Sequence, residues 1–128
     1  MTRFFPLALV PLLAATPALA HHSFAAEYDA NKKVELKGTV TKFEWTNPHA
    51  HFYLDVTDPA GKVANWNLEL ASPNMMVRNG WKRTSLKPGD TVVVTAALAK
   101  DGTNTASAQT IMLADGTTLT FMAAPEKP

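Results

Sequence analysis

From residue 34 onward, apolar and polar positions alternate at period two, the spacing of strands with one buried face. Residues 34–46 form the first and longest run. Val34, Leu36 and Val40 share one face, whereas Phe43 and Trp45 fall on the opposite parity. A parity switch within one strand predicts a bulge or a sharp coil, with Gly38 as the point of curvature. Asn47-Pro48 then breaks the run. In residues 49–57, Ala50, Phe52, Leu54 and Val56 alternate with His49, His51, Tyr53 and Asp55. The first set is the expected core face and the second the opposite face. A turn at residues 58–61 leads into residues 63–70, with Trp66, Leu68 and Leu70 inward and Asn65, Asn67 and Glu69 outward.

The period changes after residue 71. Ser72 is a helix cap, Pro73 suits the first helical position and Gly80 ends the segment. Residues 91–98 are rich in β-branched side chains, residues 106–113 form another strand, and residues 119–121 a short last one. Three strands, a short helix and two further strands give an all-β fold: a small OB-like five-stranded barrel with one short helix between strands 3 and 4. A small β-sandwich shares the same alternation.

The first twenty residues follow a different logic. Arg3 supplies a positive start, residues 4–15 are apolar apart from prolines, and Ala18-Leu19-Ala20 is a small-x-small cleavage signal. This is the pattern of a secretory signal peptide; left uncleaved it would be an N-terminal anchor. The apolar stretch is shorter than the roughly 20 residues of a spanning helix, so stable membrane insertion is not expected. The domain plan is a signal peptide at 1–20, an arm at 21–33, a barrel domain at 34–121 and a disordered tail at 122–128. Phe24 and Tyr28 would tie the arm to the barrel by burying aromatic area. The expected location is the periplasm.

Charge and cysteine narrow the function classes. The leader holds one of the twelve basic residues and none of the eleven acidic ones, so the mature chain balances eleven against eleven. A balanced chain lacks the basic excess of a nucleic-acid binder. There is no cysteine, so neither a disulfide nor lipid attachment at the cleavage point is available. Walker, dinucleotide and serine-elbow motifs are also absent. The expectation is binding rather than catalysis.

The four histidines form two pairs, His21-His22 and His49-x-His51. Two positions apart in a strand, His49 and His51 would share a face. Cleavage after Ala20 would give His21 a free α-amine beside its imidazole, a chelating pair. An imidazole from His49 or His51 would complete a three-nitrogen histidine brace, which favours copper over zinc as cofactor. His22 offers a second mode, through amine, amide and imidazole. Glu69, outward on the next strand, is the candidate carboxylate ligand or supporting partner. Asn47 and Asn67 are placed to hold the histidine-bearing turn. The plainer reading is that these histidines are surface residues, hydrogen-bonded to Tyr53, Asp55 or Glu69. Met75-Met76 are soft donors or core filler. Phe43, Trp45 and Tyr53 form either an exposed patch or cross-strand packing.

The segments His21-His22-Ser23-Phe24-Ala25 with Tyr28, Gly38-Thr39-Val40 and Glu44-Trp45-Thr46-Asn47-Pro48-His49 resemble an uncharacterised family of small exported proteobacterial proteins, a domain of unknown function. The resemblance continues through Trp66, Glu69, Gly80-Trp81 and residues 86–90. It implies export and a small β domain, and it draws attention to His21, Trp45, Asn47, Pro48 and His49. Two functions follow as expectations. One is a periplasmic copper carrier or scavenger using His21, His22, His49, His51 and Glu69. The other is a non-enzymatic module that binds a small ligand or protein partner without metal, through the face carrying His49, His51 and Tyr53.

Overall fold

The computed structural model of the chain describes residues 24–120. A helical turn at residues 24–27 runs into three strands, β1 (Tyr28–Glu44), β2 (His51–Thr57) and β3 (Val63–Glu69). A helix (Pro73–Arg78) follows, then β4 (Thr91–Ala99), β5 (Thr105–Leu113) and β6 (Thr118–Thr120).

The long β1 serves two neighbours. Its first part pairs antiparallel with β4 and its last part with β2, and Thr39 meets both. β2 pairs antiparallel with β3, and β4 with β5. A short parallel contact of residues 67–69 with 105–107 joins β3 to β5. The five strands therefore form a closed ring in the order β1-β2-β3-β5-β4, and β6 extends the sheet along β5. This is the OB-like all-β order expected from the sequence, with the helix between strands 3 and 4. The first and last residues of the sequence plan, including the signal peptide, His21, His22 and the tail, lie outside the described residues.

The inward faces match the alternation. Leu36, Val40, Phe52, Leu54, Leu68, Val92, Val94 and Ile111 are buried in one core, and Val34, Val56 and Trp66 pack at its margin. The register of β1 on β2 jumps between Val40↔Leu54 and Lys42↔Tyr53, which leaves Thr41 as an extra residue. That bulge is the parity switch read from the sequence: beyond it, Phe43 and Trp45 also pack against the core. Gly38 marks a close approach of two strands. A Cβ built there would lie 2.1 Å from the Asp55 carbonyl oxygen.

The helix is set by its ends. The Ser72 hydroxyl accepts from the Met75 amide at 3.4 Å, and Pro73 opens the first turn. At the far end Gly80 has φ +87°. The Gly80 amide donates to the Val77 carbonyl at 3.1 Å and the Trp81 amide to the Met76 carbonyl at 2.9 Å, the paired bonds of a left-handed C-terminal cap. Met76 and Trp81 are buried in the core, so Met76 is filler, while Met75 on the same helix is exposed.

Two strands start more than one residue from where the sequence reading put them. β1 begins at Tyr28, six residues before the expected start at 34, so half of the expected arm is strand. Residues 29–32 carry no alternation and have no partner in β4: they lie between the rungs Tyr28↔Ala99 and Lys33↔Ala97, where the Asn31 amide donates to the Asp29 side chain at 2.9 Å. β2 begins at His51 rather than at residue 49. Pro48 has no amide to donate to a ladder, and the His49 carbonyl accepts from the Thr46 hydroxyl at 3.1 Å. His49 is thus a loop residue at the mouth of β2, not a strand residue sharing a face with His51.

Candidate metal centre

The outward side of β1, β2 and β3 is built in rows. Glu44 stands opposite His51, and His51 opposite Glu69; one step along, Lys42 stands opposite Tyr53, and Tyr53 opposite Asn67. A third row joins Asp55 and Asn65, whose side-chain amide donates to the Asp55 carboxylate at 2.8 Å. With the inward positions taken by the core, the polar side chains of these rows stand on this one face.

His49 reaches the face from the loop. The Ala50 amide donates to the Ala71 carbonyl at 3.0 Å and the Leu70 amide to the Ala50 carbonyl at 2.9 Å, which carries the ladder one step past the ends of β2 and β3. His49 is thereby held beside Glu69, and its Nδ1 lies 2.5 Å from Glu69 Oε1. A carboxylate only accepts, so Nδ1 carries the proton in this bond. The other carboxylate oxygen, Oε2, accepts from the Tyr28 hydroxyl. Glu69 therefore has both oxygens occupied, one by the loop and one by the start of β1. It bridges His49 and Tyr28.

His51 is held in the same manner. Its Nδ1 donates to the Asn67 carboxamide oxygen at 2.9 Å. In each imidazole Nδ1 is spent on an oxygen of β3, which puts the lone pair of the ring on Nε2. An oxygen acceptor behind the inner ring nitrogen is the arrangement that fixes tautomer and ring orientation in metal-ligating histidines. The His49 side chain keeps 49% of its surface exposed, so water or an ion can reach its ring.

The surroundings are charged and aromatic. Lys42 Nζ lies 2.5 Å from Glu44 Oε1 and 5.8 Å from the centre of the Tyr53 ring. The hydrogen bond from Lys42 holds the Glu44 carboxyl below its usual range, and the Lys42 ammonium is raised by the same bond. Tyr28 is raised above the ordinary tyrosine range, first by burial and then by its bond to Glu69. The ring contacts run from Phe24 to Tyr28 at 5.5 Å and from Phe43 to Trp45 at 5.8 Å.

Among the described residues, no three His, Cys, Asp or Glu side chains are grouped to hold a metal. The expected ligands therefore divide. His51 stands on the outward face at the start of β2, His49 lies in the loop before it with Glu69 bonded to its ring, and His21 and His22 fall outside the described residues. The sequence reading named Glu69 as a carboxylate ligand or supporting partner and Asn67 as a holder of the histidine-bearing turn; Asn67 instead bonds His51. That reading assigned Tyr28 only as an aromatic anchor and gave no role to its hydroxyl.

Over residues 10–108 the sequence matches a family of unknown function, DUF6152. The chain belongs to DUF6152. The Phe24–Tyr28 segment and the His49, Asn67 and Glu69 cluster all fall inside the part that matches the family. No curated protein matches this DUF6152 chain. Among solved structures it is similar to Rim1, a mitochondrial single-stranded DNA binding protein from S. cerevisiae, with a TM-score of 0.51 and 14% identity. That likeness covers 65% of this chain and 93% of Rim1; at such identity it speaks for the fold alone. Among the described residues of this DUF6152 member, no helix is long and apolar enough to cross a membrane.

Proposed function

We propose that the chain is an exported copper-binding protein that carries or scavenges the ion, with His49 and His51 as two of its ligands. The observation that carries this reading is the pair of imidazoles with Nδ1 engaged on Glu69 and Asn67 and Nε2 left to coordinate. Two imidazoles do not complete a site. The remaining nitrogens come from the α-amine and ring of His21 after cleavage behind Ala20, with His22 as the alternative donor. Chain length supports this. His21 is three residues from Phe24, a span of at most about 11 Å. Phe24 packs on Tyr28, whose hydroxyl is bonded to Glu69. A set of nitrogen donors favours copper, at the top of the divalent affinity series, and zinc is the competitor.

The test is a titration of the mature protein with copper and with zinc, after intact mass shows that it starts at His21. One copper should bind per chain, and His21→Ala, His49→Ala and His51→Ala should each weaken binding at least tenfold. Binding no tighter than about micromolar, or indifferent to His49 and His51, retires the copper reading.

A second reading draws on the same outward face. Lys42, Tyr53, Asp55, Asn65 and Asn67 give it paired donors and acceptors around one aromatic ring. On an OB-like ring the face of strands 2 and 3 is a common place for a ligand, and a metal-free accessory module would use it. Failure of the copper titration together with a ligand that shifts Tyr53 and Asn67 resonances is the result that favours this alternative.

A further inference from the structure

Glu69 joins two segments that the chain keeps far apart. Its Oε1 faces His49 Nδ1 in the loop before β2, and its Oε2 accepts from the Tyr28 hydroxyl at the start of β1. Tyr28 is in turn fixed from three sides. Its ring is buried. Phe24 packs against it. The Lys100 amide donates to the Glu27 carbonyl at 2.9 Å, and the Lys100 ammonium donates to the Ala25 carbonyl. The described end of the N-terminal segment is thus pinned immediately beside Tyr28. A carboxylate bonded only to His49, whose ring is half exposed, would have its second oxygen without a protein donor and could turn among several rotamers. A second bond from a buried hydroxyl removes that freedom, and with it the freedom of the imidazole to change tautomer.

We infer that Tyr28 is a positioning residue which, through Glu69, fixes His49 as the Nδ1–H tautomer and docks the N-terminal segment against the same carboxylate. Tyr28 touches no metal in this scheme. It aims the Nε2 lone pair of His49 and holds the root of the segment that carries His21. The relay deepens the copper reading but is defined by the metal-free protein, so the two can fail separately. His51 supplies an internal control, because its Nδ1 rests on Asn67 and not on Glu69.

The decisive measurement is the histidine side-chain nitrogen spectrum of the ¹⁵N-labelled mature protein, free of metal. It is recorded well above the ordinary imidazole pKa of about 6.5, for the wild type, Tyr28→Phe and Glu69→Gln. The wild type should show His49 and His51 both protonated at Nδ1. Tyr28→Phe should move His49 toward a mixture of tautomers and leave His51 unchanged. Glu69→Gln should do the same, and it decides the question if Tyr28→Phe does not fold. Copper affinity should fall about 10–100-fold in Tyr28→Phe, the range for loss of such a supporting partner. A His49 ring unaltered by both substitutions overturns the relay. So does an equal disturbance of His49 and His51, which marks a general loosening of the sheet. A wild type that binds no copper retires the copper reading alone, and the nitrogen spectrum still decides the role of Tyr28.

Discussion

Tyr28 combines a buried ring with a hydroxyl bonded to a carboxylate, and both features resist its ionisation. Burial is the larger cause of its raised pKa, followed by the bond to Glu69 and the charge of that group. The consequence for stability has a definite sign. The unfolded chain loses the tyrosine proton near the ordinary value of about 10, whereas the folded chain retains it. Below pH 10 the stabilisation is complete; above it, deprotonation favours the unfolded chain. Urea midpoints measured from pH 8 to pH 11 should fall above pH 10 in the wild type and fall less in Tyr28→Phe. Equal slopes would show that Tyr28 ionises as freely in the fold as outside it. Residues of the candidate site differ in how far they were legible. Glu69 and Asn67 stood out as outward polar positions of one strand, and period two alone put them on the side of His51. The Tyr28 hydroxyl bond spans 41 positions of chain. No local pattern encodes such a contact, and an aromatic residue in a polar stretch reads as an anchor.

Among the elements, β1 shows how one strand can belong to two sides of a ring. It leaves β4 and joins β2 around Gly38 and Thr39. The crossing works because Gly38 has no side chain: a Cβ would meet backbone, at 2.1 Å from the Asp55 oxygen and 3.0 Å from its carbon. Backbone held in a β2–β3 ladder cannot step aside as a flexible side chain would. Gly38→Ala should therefore lose at least about 1–3 kcal/mol, the usual cost of overpacking, and more if the β1–β2 pairing opens. Chemical denaturation measures the loss, and a change under 0.5 kcal/mol would mean that the strands separate there at little cost. The bend and the bulge beside it were legible because they reverse the apolar parity, and the capped helix was legible from Ser72, Pro73 and Gly80. The first third of β1 was not. Residues 29–32 lie between two rungs to β4, Tyr28↔Ala99 and Lys33↔Ala97, and their side chains neither announce nor forbid a strand. The same limit applies to His49. Alternation extends the strand back to residue 49, but Pro48 and the Thr46 bond end it at residue 51.

At the scale of the molecule, the ring makes the candidate site a property of the whole fold. His49 comes from the loop between β1 and β2, His51 from the start of β2, their partners Glu69 and Asn67 from β3, and Tyr28 from the start of β1. β3 is locked to β5 through residues 67–69, the stretch that contains both partners. Unfolding anywhere in the ring therefore disperses the proposed ligands. An ion bound only by the folded chain stabilises it by mass action, by about 2.7 kcal/mol when free ligand is a hundredfold above Kd. For a domain of this size, 1 kcal/mol moves the melting midpoint about 4–8 °C, so copper at that excess should raise it by roughly 10–20 °C. Copper also binds unfolded chains through loose histidines, which reduces the shift without depending on geometry. The informative quantity is the difference between the wild type and a His49→Ala, His51→Ala double variant that retains His21 and His22. A large copper shift in the wild type, reversed by a chelator and mostly lost in the double variant, ties the ion to the folded face. A shift of the same size in both proteins assigns it to the N-terminal histidines alone and removes β2 and β3 from the site.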